Sequence, residues 1–238
     1  RPPVVVMEQF DTDQQETLDT ILKTISYVPQ EERQIVFKKA LKWEQSPWDT
    51  YNYTKLFEAL LLSHIAIRAG DPPLAFVRKV SRYGSAALTT QDLELLGLNE
   101  NLEKGVFEDL KAEIKDSHCG MLPDGILGNF AFAQRYRDAI LAKSTVQALR
   151  TYGGGIVLAG NAHVRRDRGI PWYLKKQLDS TKFLSILLLE VEEGKEQPED
   201  YDLRTSQENP IADYIVFTPK APREDPCLKF GKGGDSAK

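Results

Sequence analysis

The residues Gly160, Asn161, Ala162, His163, Val164 and Arg165 follow the apolar run 156–159, so a histidine stands where a buried strand stops. Glycine lets the backbone turn there, and asparagine tolerates a left-handed conformation. Together they aim His163 at whatever crevice lies beyond the strand. An imidazole so placed suits ligation of a metal or haem iron, proton transfer, or a hydrogen bond to a carboxylate. The ordinary role of a lone histidine beside a turn is a cap or hydrogen bond, and pattern alone leaves that reading open. Arg165, Arg166 and Arg168 ordinarily form a solvated face, although beside a crevice such guanidinium groups meet propionates or phosphates.

Two further constellations carry chemical side chains. His118, Cys119 and Met121 put three soft or borderline iron ligands in one tight turn, and a plain helix stop with a buried Cys and Met has the same look. Glu8 and Asp11 close the first apolar run, where a carboxylate serves as metal ligand, general base or favourable charge for the following helix. Gln134, Arg137 and Asp138 share one polar helix face by 3.6-residue spacing. His64 follows an apolar helix and reads as structural. The sequence contains no GxSxG elbow, Walker loop, GxGxxG loop, HExxH or CxxC, which argues against the reaction classes those motifs serve.

The elements that must position these groups are legible from periodicity. Strands are expected at 4–10, within 64–73, at 156–160, 183–191 and 213–219. Between them lie helical patterns at 11–25, 29–44, 54–64, 74–84, 88–98 and 101–120, and a long helix from Ile126 to Tyr152 that stops at three glycines. Residues 192–210 read as an acidic surface excursion. Helices alternating with β-branched runs predict an α/β fold, a mostly parallel sheet flanked by helices on both faces, with ligands at the carboxyl ends of its strands. We expect a single domain over 1–228 and a flexible tail over 229–238. Because residue 4 is already inside a strand, an opening strand is expected to be missing from this sequence.

Composition narrows the partners. With 238 residues and a net charge of -4, the chain is long enough for one core and carries no basic stripe, so nucleic acid is not an expected partner. No apolar run approaches the roughly 20 residues of a membrane-spanning helix. Two cysteines far apart, Cys119 and Cys227, leave a disulfide and two free thiols equally open.

Taken in order, "VVVMEQFD", "FVRKVSRYGSAAL", "HCGMLP", "AQRYRDAILA", "IVLAGNAHVRRDRGIPWYL" and "DYIVFTPKAPREDPC" resemble the ChaN-like haem-binding family of bacterial iron-regulated lipoproteins, itself similar to Tiki proteins and erythromycin-esterase-like enzymes. The resemblance implies an exported protein of the bacterial cell envelope. It would be held at a membrane by a lipid anchor absent from this sequence, would bind haem with formation of a homodimer, and would assist haem and iron uptake. Residue by residue it points to Glu8, Phe10 and Asp11, to His118 through Met121, to Gly160, Asn161, His163 and Arg165, and to Gln134, Arg137 and Asp138. Ala162 stands where the family usually has glycine, and Ala69 to Pro73 depart from the family's Asn-containing pattern. The expectation is therefore a haem pocket with His163, Asn161 and His118 at its mouth, Met121 and Glu8 beside them, and Arg165 or Arg137 on the propionates. Tyr83 and Tyr136 are further axial candidates. The rival is a metal-dependent hydrolase in which Glu8, His118 and His163 hold a divalent ion, and the third reading is a scaffold with a vestigial crevice.

Overall fold

The structure is a computed structural model that describes residues 3–178, 183–205, 208–223 and 227–230. Its first strand, β1 (Val4–Asp11), is buried along almost its whole length, as a β-branched run between two helical layers must be. The helices α1 (Gln15–Thr24), α2 (Arg33–Ala40) and α3 (Thr54–Ser63) carry the chain to β2 (Ala66–Asp71). From there α4 (Leu74–Tyr83), α5 (Thr90–Leu95), α6 (Lys104–Ser117) and α7 (Asp124–Tyr152) lead to β3 (Gly155–Leu158). The three strands form a parallel sheet in the order β2-β1-β3. Successive connections leave opposite sides of β1, so the topological switch point, where α/β sheets open a crevice, lies at the carboxyl end of β1.

Pleating assigns each face of β1 a partner. Val5 and Met7 pack into an aromatic core with Phe37, Trp43 and Phe57 from the α1 to α3 side, where the Trp43 and Phe57 rings meet edge-on at 4.8 Å. Val4 and Val6 pack with Ala148 of α7. By the same alternation Glu8 falls on the α7 side. A register irregularity between Met7 and Asp11 then returns Phe10 to the aromatic core. Gly70 allows α7 to lie this close, because a Cβ there would come within 2.7 Å of Leu141 Cδ2.

The structure departs from the sequence reading in three places. The helix expected over 29–44 is an eight-residue α2 flanked by 3-10 turns; Lys42 takes a left-handed φ of 52°, and the break turns Trp43 into the core. After α8 (Ile170–Gln177), β4 (Ile186–Glu190) and β5 (Tyr214–Thr218) form a separate two-stranded parallel sheet instead of extending the first. The excursion 192–210 is anchored, with Tyr201 buried against Phe217 at 5.1 Å between ring centroids.

The two cysteines are joined as Cys119–Cys227, with Cα atoms 5.5 Å apart. The bond fastens the corner after α6 to the helical turn α9 (Cys227–Phe230); residues 231–238 of the expected tail lie outside the described residues. A loop of this length, closed in the unfolded chain, stabilises by about 3 to 5 kcal/mol. Reduction is expected to lower the melting temperature by several degrees, and Cys119→Ser should melt where the reduced wild type does, indifferent to reductant. A calorimetric scan with and without dithiothreitol checks this.

Candidate functional site

Three strand ends and one helix face converge beyond the carboxyl end of the sheet. Glu8 of β1, Asp71 closing β2 and His163, in the 3-10 turn Asn161–Val164 that follows β3, meet Gln134, Arg137 and Asp138 of α7. Glu8 is 3% exposed. One of its oxygens accepts from Arg137 Nη2 at 2.7 Å and lies 3.2 Å from His163 Nε2; the other accepts from the Gly160 N–H at 2.6 Å. Arg137 also forks onto Asp71, its Nε 3.0 Å from Oδ1 and its Nη2 2.7 Å from Oδ2. His163 Nδ1 is 2.7 Å from Asp138 Oδ1, and the Gln134 amide lies beside the imidazole.

Such a cluster is stable only because its charges alternate. Burial opposes ionisation of Glu8, but the neighbouring His163, Arg137 and Gly160 N–H outweigh it and bring the carboxyl down to about 2. Burial likewise opposes the His163 imidazolium, yet Asp138 and Glu8 raise it from an ordinary 6.5 to about 10. Asp71 goes the other way: burial lifts it to about 6 in spite of Arg137. At neutral pH His163 is therefore a cation with both ring nitrogens donating, one to each carboxylate, and has no lone pair to offer a metal.

The other expected site residues lie elsewhere. Asn161 and Arg165 line a hollow of about 290 Å³ beside β4; Asn161 Nδ2 donates to the Leu188 carbonyl at 2.7 Å, and Arg165 pairs with Asp167. Both arginines expected on propionates are thus engaged with carboxylates. Asp11 sits next to the cluster, its carboxyl raised mainly by burial. Tyr136 is buried and Tyr83 exposed. His64 is the left-handed cap of α3 at φ 51°, a structural role as expected.

His118 and Met121 occupy a separate corner at the end of α6. His118 is exposed, and its Nδ1 lies 2.7 Å from the Ile114 carbonyl. A carbonyl only accepts, so Nδ1 carries the proton and Nε2 the lone pair. The ring meets Phe130 of α7 edge-on at 5.6 Å, and Met121 and Ile126 are 61% and 38% exposed nearby in the chain.

This separation corrects the metal-site expectation. Among the described residues no three His, Cys, Asp or Glu side chains are arranged to hold a metal ion, and the Arg137 guanidinium takes the cation's place between Glu8 and Asp71. Sequence reasoning missed Asp71. The signal was present, since an acid closing a strand in a parallel sheet faces the same crevice as Glu8.

Comparison with known proteins gives two matches. The family model described as haem-binding uptake, Tiki superfamily, ChaN matches residues 1–174. A solved structure described as cofacial heme binding to ChaN of Campylobacter jejuni superposes with a TM-score of 0.59 at 19% identity, covering 84% of this chain and 72% of that one; at that identity the likeness shows the fold. No curated protein matches.

Replacing His163 leaves Asp138 buried without its cation and Glu8 with Arg137 alone, so His163→Gln is expected to cost roughly 3 to 5 kcal/mol. The folded imidazolium titrates above the unfolded one. Its contribution is therefore complete below pH 6.5 and is lost as pH rises toward about 10. Urea unfolding at pH 6, 8 and 10 should show the gap between wild type and His163→Gln closing as pH rises; a gap that widens or stays constant means that His163 is not held as a cation.

Proposed function

Because the chain belongs to the haem-binding uptake family of ChaN in the Tiki superfamily, we propose that it binds haem through His118 and serves haem uptake at the bacterial cell envelope. The observation that carries the choice of ligand is the contrast between the two histidines. His163 spends both nitrogens on carboxylates, whereas His118, an exposed residue, donates Nδ1–H to a backbone carbonyl and keeps the lone pair on Nε2. A ligating histidine has that arrangement, its second nitrogen fixed by an acceptor.

The surroundings fit the group. Phe130 meets the imidazole edge-on, Met121 and Ile126 expose apolar surface nearby in the chain, and the disulfide at Cys119 pins the corner that presents it. Bound haem supplies the iron and its absorption; the chain supplies the donor, the apolar surface and a rigid mount. A haem on so exposed a ligand has one face covered by this chain and the other open. We therefore assign the second face to another copy, giving a homodimer on haem binding.

The envelope location rests on the disulfide, which persists in oxidising compartments such as the periplasm. No helix among the described residues is long and apolar enough to cross a membrane, and attachment through a lipid anchor is the route we propose. The cluster of Glu8, Arg137 and His163 holds the strand ends together.

Haemin titration followed by absorbance and sedimentation tests the reading. Wild type is expected to saturate at one haem per chain with growth to dimer. His118→Ala should weaken binding at least tenfold, about 1.4 kcal/mol or more, and displace the Soret band, with added imidazole restoring it. Unsaturable uptake by wild type overturns haem binding; wild-type behaviour of His118→Ala overturns the ligand assignment alone.

A further inference from the structure

Arg135 is 3% exposed and meets only neutral groups. Its Nε donates to the Tyr173 hydroxyl at 3.2 Å and its Nη2 to the Glu100 carbonyl. The rings of Phe132 and Trp172 lie 6.0 and 5.9 Å from its Cζ. Among the described residues no carboxylate forms an ion pair with it; the Glu100 carboxylate is taken by Lys176. A guanidinium withdrawn from water with no anion beside it is costly, and that cost falls when a carboxylate arrives at its remaining N–H groups.

Arg135 lines a cleft of about 600 Å³ between α5, the start of α6 and α7, a size within the range of small-molecule sites. Lys104 brings a second cation to the rim, Asn99 and Asn101 bring amide groups, and Phe107 and Phe132 form apolar walls. No His, Cys, Met or Tyr lines the cleft, so haem iron finds no side-chain ligand of those kinds in it. The 14 residues of α6 separate Lys104 from the His118 corner, about 20 Å at 1.5 Å per residue.

We propose that this cleft is a second binding site, for an organic carboxylate with an apolar body. The carboxylate lies on Arg135 and Lys104 and the body lies against Phe107 and Phe132. The site is independent of haem.

Naphthoate and its uncharged amide, titrated by calorimetry into the full chain, test the proposal. Gly128 of α7 lines the cleft, and a Cβ added there meets nothing within 4 Å. Gly128→Phe therefore fills the cleft without backbone strain and removes a poor helix former. Naphthoate is expected to bind saturably, with the amide at least tenfold weaker and Gly128→Phe at least tenfold weaker for naphthoate at unchanged or higher melting temperature. Lys104→Met, an exposed change, should weaken naphthoate severalfold and leave the amide unaffected. Equal binding of acid and amide, absence of saturable binding, or wild-type affinity in Gly128→Phe overturns the site, and haem titration of Gly128→Phe reports on the His118 site separately.

Discussion

A carboxylate inside a central strand, with 3% of its surface exposed, is tolerable only if its lone pairs are occupied and its charge is matched. Glu8 imposes that condition on the molecule. Its two oxygens draw the Gly160 N–H from the end of β3, Arg137 from α7 and His163 from the turn beyond. Each of those partners then needs its own counterpart, Asp71 for Arg137 and Asp138 for His163. The chain of requirements ties together all three strand ends of the sheet and the helix lying across them. Deleting Arg137 leaves Asp71, and deleting His163 leaves Asp138, buried and unpaired, which costs more than the pair contributes when intact.

The second organising element is α7. Residues on a helix advance by about 100° each, so Arg135 and Arg137, two apart, face opposite sides. Arg137 enters the anionic cluster at the strand ends; Arg135 passes to the other side of the helix, between Phe132 and Trp172. Phe130, one turn before Gln134, reaches the His118 ring. One helix of 29 residues therefore touches the charge cluster, the exposed histidine and the cationic cleft, and the spacing along it sets which group each side chain meets.

Much of this was legible in the sequence because it depends on local periodicity. The five apolar runs are the five described strands, and the long helix begins two residues before Ile126 and stops at Gly153 with φ 81°. The polar face of Gln134, Arg137 and Asp138 and the strand-end placement of Glu8 and His163 followed from the same periods. What was not legible depends on pairing between distant segments. Nothing local says that β4 and β5 pair with each other and not with β3, that Cys119 and Cys227 are bonded, or that the 29–44 helix breaks so that Trp43 can reach Phe57. Asp71 was hidden for a different reason: a run ending in Gly, Asp and Pro reads as a turn, and its carboxylate gains a role only once Arg137 arrives from 66 residues away.

The two candidate histidines illustrate why a sequence names a residue type more readily than a role. Imidazole serves as a cation or as a metal ligand, and never as both at once, because ligation needs the lone pair that protonation removes. The acceptor on its far side decides which. Carboxylates on both nitrogens of His163 hold the proton and make the ring a buried cation. A single backbone carbonyl at His118 accepts from Nδ1–H and fixes the tautomer that leaves Nε2 bare. The residue that ends a strand in the crevice thus becomes part of the scaffold, and the residue that ends a helix at the surface keeps a nitrogen lone pair.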